Sequence, residues 1–153
     1  MHRYEAHIAW SRNGATFSDN RYSRGHEWSF DGGVTVKASA SPTVVPLPYS
    51  VVDAVDPEEA LIASASSCHM LWFLSIAAKR GFVVERYVDD AFGVMEKDAA
   101  GKLMITHITL RPTVEFSPDS RPSAEEIQSI HRAAHEECFI ANSLKSEIVV
   151  EAD

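Results

Sequence analysis

Cys68 and Cys138 are the only two thiols in this 153-residue chain, and a thiol is the side chain here best suited to act as a nucleophile. Cys68 stands in VDPEEALIASASSCHMLWFLSIAAKRG, residues 55–81, a run that otherwise has the composition of buried helix. About three turns into that helix, its sulfur gains nothing from the partial positive charge at the helix start. A thiol buried there has a raised pKa and is an inert core residue, unless an arginine or a protonated histidine reaches it. His69 follows directly in sequence but points roughly 100° away around the helix, so its ring is expected to find a backbone or side-chain partner elsewhere. Arg24, in YSRGH, and Arg21 are the bases nearest an early loop that could fold over the helix.

His131, His135 and Cys138 lie at i, i+4 and i+7, which places three possible metal ligands on one helix face. No fourth ligand accompanies them, and a His-x-x-x-His pair on a polar helix is ordinarily a solvated face. No metal and no cofactor are expected.

The elements that must carry these residues follow from pattern. YEAHIAW alternates Tyr4, Ala6, Ile8 and Trp10 against Glu5, His7 and Ala9, the period-2 signature of a half-buried strand. HEWSF and VTVKASA flank the turn Asp31-Gly32-Gly33 and predict a hairpin. The prolines of SPTVVPLPYSVVDAV, residues 41–55, exclude a central strand and predict a loop, with Val44, Val45 and Leu47 offering apolar surface. Asp56, Pro57 and Glu59 supply N-cap, first helical residue and capping box, and Gly81 supplies the stop. The enclosed helix is apolar on all faces, which implies burial on every side and a second subunit to complete it. Residues 83–97 and 102–116 predict a longer hairpin, Ser123-Ala-Glu-Glu opens a second capped helix, and residues 145–151 predict a last strand. The fold class expected is α+β, with antiparallel sheet and two main helices in a single domain over residues 1–153.

Composition excludes other classes. The net charge of −8, from 22 acids against 14 bases, repels nucleic acid and anionic membrane. Residues 60–78 carry no formal charge and approach the length of a membrane span, but four serines, a histidine and the flanking caps argue for a protein helix instead. Residues 1–20 lack the layout of a secretory signal, so a cytoplasmic location is expected.

The segment Asp56-Pro57-Glu58-Glu59-Ala60-Leu61, Cys68 ten residues after Glu58, and a second cysteine 70 residues further on (138 − 68) at a helix end resemble the OsmC/Ohr family of thiol peroxidases. The resemblance implies that family's fold and an intertwined homodimer with central helices packed together. It also implies reduction of organic hydroperoxides, or hydrogen peroxide, with Cys68 as the attacking thiolate and Cys138 as the thiol that closes a disulfide. Arg24, or alternatively Arg21, would hold the thiolate while paired with Glu58, and a lipoyl-type dithiol would regenerate the thiols. The alternative is a non-enzymatic small-molecule-binding protein of the same fold, with Cys68 a structural residue.

Overall fold

The computed structural model describes residues 1–152. The chain divides into two compact units, residues 1–60 and 61–153.

In the first unit, β1 (His7–Ala9), β2 (His26–Ser29) and β3 (Thr35–Ala38) form an antiparallel sheet in the order β1-β2-β3. The predicted hairpin is present, and its turn needs glycine, since Gly33 has φ +89°. The predicted half-burial of β1 is not: all three of its residues are exposed, Ile8 by 59 %, and Trp10 just beyond is 40 % exposed. The proline-rich segment is a loop, as its prolines require, and is laced back to the sheet. Ser39 N–H donates to Val55 O at 3.0 Å, Val55 N–H to Lys37 O at 3.0 Å, and Arg24 N–H to Tyr49 O at 2.8 Å.

Helix α1 (Pro57–Lys79) begins with the predicted capping box. Glu59 N–H donates to Asp56 Oδ1 at 2.8 Å, and Asp56 N–H to Glu59 Oε1 at 2.9 Å. It ends in a Schellman turn: Gly81 adopts φ +85°, its N–H meets Ala78 O, and Phe82 N–H meets Ala77 O, each at 3.0 Å.

The second unit is built on the remainder of α1. Two strand pairs follow, where one long hairpin was expected. β4 (Val84–Asp89) pairs with β7 (Pro112–Phe116), while β5 (Phe92–Lys97) pairs with β6 (Leu103–Leu110) around the predicted turn. The ladder is cut at Asp89 and Pro112. Asp89 Oδ1 accepts from Arg111 N–H at 2.6 Å, Arg111 Nε donates to Asp90 O at 2.8 Å, and Pro112 has no N–H of its own to give. Helix α2 (Ala124–Glu137) carries its predicted capping box, Ser123 with Glu126. The last strand, β8 (Glu147–Val150), joins β6 in parallel, not antiparallel, since α2 carries the chain back before it enters the sheet.

Helix α1 buries only one stripe. Ala65, His69, Phe73 and Ala77, spaced by four, are buried, whereas Ala63, Ser67, Leu71 and Ser75 on the opposite stripe are exposed, Leu71 by 60 %. The all-round burial expected from composition is therefore absent within one chain. Phe73 and Ala77 meet Ile130 and Ala134 of α2, and Ala65 meets Ile108 and Leu110 of β6. Each large side chain so buried stabilises the fold by about 1.5–3 kcal/mol. By length and composition α1 could cross a membrane, but its buried stripe serves as the floor of this core.

Candidate active site

Both thiols fall in the second unit and lie next to one another. Cys138 is the C-cap of α2, 1 % exposed, while Cys68 is half-buried on α1. Both are free. Burial pushes the Cys138 thiol up; the Ala141 N–H, 3.4 Å from its sulfur, works against this, and the neighbouring Cys68 thiol raises it again. A raised thiol is a poor first nucleophile and a competent partner for a sulfur already oxidised.

Two contacts join α1 to the α2 region near the pair. Trp72, one turn after Cys68, meets Phe139 edge-on with ring centroids 5.4 Å apart. His69 Nε2 and His131 Nδ1 form a 3.0 Å hydrogen bond between parallel rings, against Phe73. Burial holds His69 and His131 at about 4, well below an ordinary histidine, and His135 adds to the effect at His69. His69 thus has the side-chain partner expected of it. His131 contradicts its expected solvated position: it is 5 % exposed, turned inward beside Ile130. It is committed to His69, and among the described residues no three His, Cys, Asp or Glu side chains form a set that could hold a metal.

The other two expected residues lie in the first unit. Arg24 is half-buried. Its Nη1 donates to Asn20 O at 2.8 Å and Tyr22 O at 2.6 Å, and its guanidinium lies 3.7 Å over the Tyr22 ring. Glu58 has a buried Oε2 with no hydrogen-bond partner. The expected Arg24–Glu58 pair is absent among the described residues, because the loop's own carbonyls take the guanidinium. Arg21 is exposed, its backbone held by Asp19 at 3.0 Å. Sequence reasoning also missed a cleft of about 470 Å³ beside Arg24, lined by Trp10, Phe17, Tyr22 and the helix-opening Pro57. Phe17 and Tyr22 stack at 4.7 Å, and both touch Trp10. Aromatic residues in a polar connector were the available signal. For the histidines, it was the spacing of His69 four residues before Phe73 on the buried stripe.

A single α+β fold with a cysteine on its long helix and a second at the end of the next describes a known class. The family model for OsmC-like proteins matches residues 51–153, and the chain belongs to that family. It is similar to an OsmC-like protein of unknown function from Vibrio cholerae, at 51 % identity over 100 % of both chains and a TM-score of 0.98. The fold is shared with more distant structures. One is an organic hydroperoxide resistance protein from Elizabethkingia anophelis, at 14 % identity, 99 % and 94 % coverage and TM-score 0.72. Another is the organic hydroperoxide resistance protein OhrB of Bacillus subtilis, at 16 % identity, 99 % and 98 % coverage and TM-score 0.70. No curated protein matches the chain. The expected fold class and family are those observed.

Proposed function

We propose that this protein is a cysteine-based peroxidase for organic hydroperoxides. The observation that carries the reading is the adjacency of two free thiols, 70 residues apart in sequence (138 − 68), one half-buried and the other fully buried. The hydroperoxide resistance proteins that share the fold lend support at low identity.

In this scheme the Cys68 thiolate attacks the terminal peroxide oxygen, the O–O bond breaks, and the departing alkoxide takes a proton to leave as the alcohol. Cys68 is then a sulfenic acid. The Cys138 sulfur attacks it, an S–S bond forms, and the hydroxyl departs with a proton as water. An external dithiol, of lipoyl type, restores both thiols. Arg24 serves as the cation that favours the thiolate, with Glu58 as its acidic partner once substrate or a second subunit draws the guanidinium from its loop.

The homodimer belongs to the same proposal. The exposed stripe of α1, Ala63, Ser67, Leu71 and Ser75, with Leu71 60 % exposed, supports it as the face a second copy would cover. The location proposed is the cytoplasm, where a dithiol cycle has reductant available. A second reading, a small-molecule-binding protein with a structural Cys68, is favoured by Arg24 being engaged by its own loop.

Stopped-flow reaction of the reduced protein with cumene hydroperoxide separates the two. The peroxidase reading requires fast loss of both thiols, a Cys68–Cys138 disulfide by peptide mass spectrometry, no reaction in Cys68→Ser, and a trapped sulfenic acid in Cys138→Ser. Oxidation no faster than that of an ordinary free thiol leaves the binding protein.

A further inference from the structure

The two thiols sit on different helices, and a disulfide tolerates little error: its Cα atoms must come within about 7 Å with Cβ vectors converging. Something must therefore fix the rotation of α1 against the end of α2. On α1, His69 is one residue after Cys68 and points roughly 100° round from it onto the buried stripe, while Trp72 is four residues after it and stands one turn above the sulfur on nearly the same face. Along α2, His131 leads by i+7 to Cys138, and Phe139 is the next residue. The His69–His131 hydrogen bond at 3.0 Å and the Trp72–Phe139 edge contact at 5.4 Å thus tie α1 to α2 and its end at two points, each next to or one turn from the thiol on α1 and the second adjoining Cys138.

We propose that His69, His131, Trp72 and Phe139 form a two-point latch that positions Cys68 and Cys138 for disulfide formation. None of the four touches the reacting oxygen or exchanges electrons; they are positioning residues. Their chemistry suits the role. A neutral imidazole pair, one ring donating and the other accepting, has a single short geometry, and both rings are buried, His69 1 % and His131 5 % exposed. The aromatic contact is edge-on and shape-specific.

The inference deepens the peroxidase reading, but its test needs no peroxide. Equilibrating the full-length protein with reduced and oxidised glutathione measures the effective concentration of one thiol for the other. Two protein thiols become one S–S bond, while glutathione disulfide takes the two electrons and both protons to give two glutathione thiols. His69→Phe, which keeps an aromatic ring there and loses the hydrogen bond, is expected to lower that effective concentration at least tenfold. His69→Gln, whose amide nitrogen can replace Nε2, should recover most of it. Phe139→Ala, at a side chain 66 % exposed and outside the core, is expected to lower it about threefold or more.

Values for His69→Phe and Phe139→Ala within twofold of the parent would overturn the latch. If His69→Phe does not fold, Phe139→Ala and the His69→Gln comparison decide: an unchanged value in the former overturns the proposal. Normal glutathione equilibria together with no reaction toward cumene hydroperoxide would sink the peroxidase reading and leave the latch standing.

Discussion

His69 Nε2 and His131 Nδ1 meet at 3.0 Å in a core that keeps both rings neutral, which makes this joint between α1 and α2 sensitive to acid. Folded chains protonate these rings only near pH 4, whereas unfolded chains do so near 6.5. Their contribution is therefore complete above pH 6.5 and is lost as pH falls toward 4. One ring accounts for on the order of 3 kcal/mol across that window, and the second for less because the two are coupled. Urea midpoints at pH 7 and pH 4.5 should diverge more in the parent than in the His69→Gln/His131→Asn double variant. An equal drop in both would remove these rings as the cause.

Ser123 and Glu126 close the start of α2 reciprocally, with Ser123 N–H to Glu126 Oε2 at 2.7 Å and Glu126 N–H to Ser123 Oγ at 3.2 Å. Ser123→Ala should cost about 1 kcal/mol. For a chain of this size that lowers Tm by roughly 2–4 °C, which calorimetry can detect.

Gly93 on β5 leaves room for Ile62 of α1. A Cβ there would stand 2.6 Å from Ile62 Cδ1 and 3.2 Å from Ile105 Cγ2. Gly93→Ala is expected to destabilise by about 1–2 kcal/mol through overpacking, and Ile62→Val, by deleting that Cδ1, should return part of the loss in the double variant. Chemical denaturation of the four chains closes the cycle, and strict additivity would contradict the contact.

If Arg24 is the activating cation, Arg24→Lys keeps the charge and loses the planar guanidinium whose Nη1 now donates to both Asn20 O and Tyr22 O. The rate with cumene hydroperoxide should fall about 100-fold, on the scale of a lost pKa-tuning group. The glutathione equilibrium of the dithiol should stay put. A rate unchanged by the substitution would direct attention to Arg21.

Much of this molecule was legible because its signals are local. Asp56 with Glu59, Ser123 with Glu126, and Gly81 each act within a few residues, and all three do in the fold what they announce in the sequence. The thiol pair was reachable through family resemblance. What the sequence concealed is non-local. The strand break at Asp89 depends on a carboxylate accepting from Arg111 and Ser66, 22 and 23 residues away. The parallel entry of β8 depends on where α2 delivers the chain. His131 looked solvated because its helix is polar overall, yet its neighbour Ile130 is fully buried and draws it inward. The Arg24–Glu58 pair failed as an expectation since backbone carbonyls, invisible in a residue string, compete for the guanidinium.

The adjacency of Cys68 and Cys138 also has a history within each molecule. Synthesis runs from the N-terminus at roughly 5–20 residues per second, so the 70 residues between them (138 − 68) take about 4–14 s. The sheet that finishes the unit waits still longer, because β8, the last strand among the described residues, follows Cys138. Every newborn copy thus passes an interval in which its first thiol exists without the second, and any oxidant met then finds a sulfur that no neighbour can rescue.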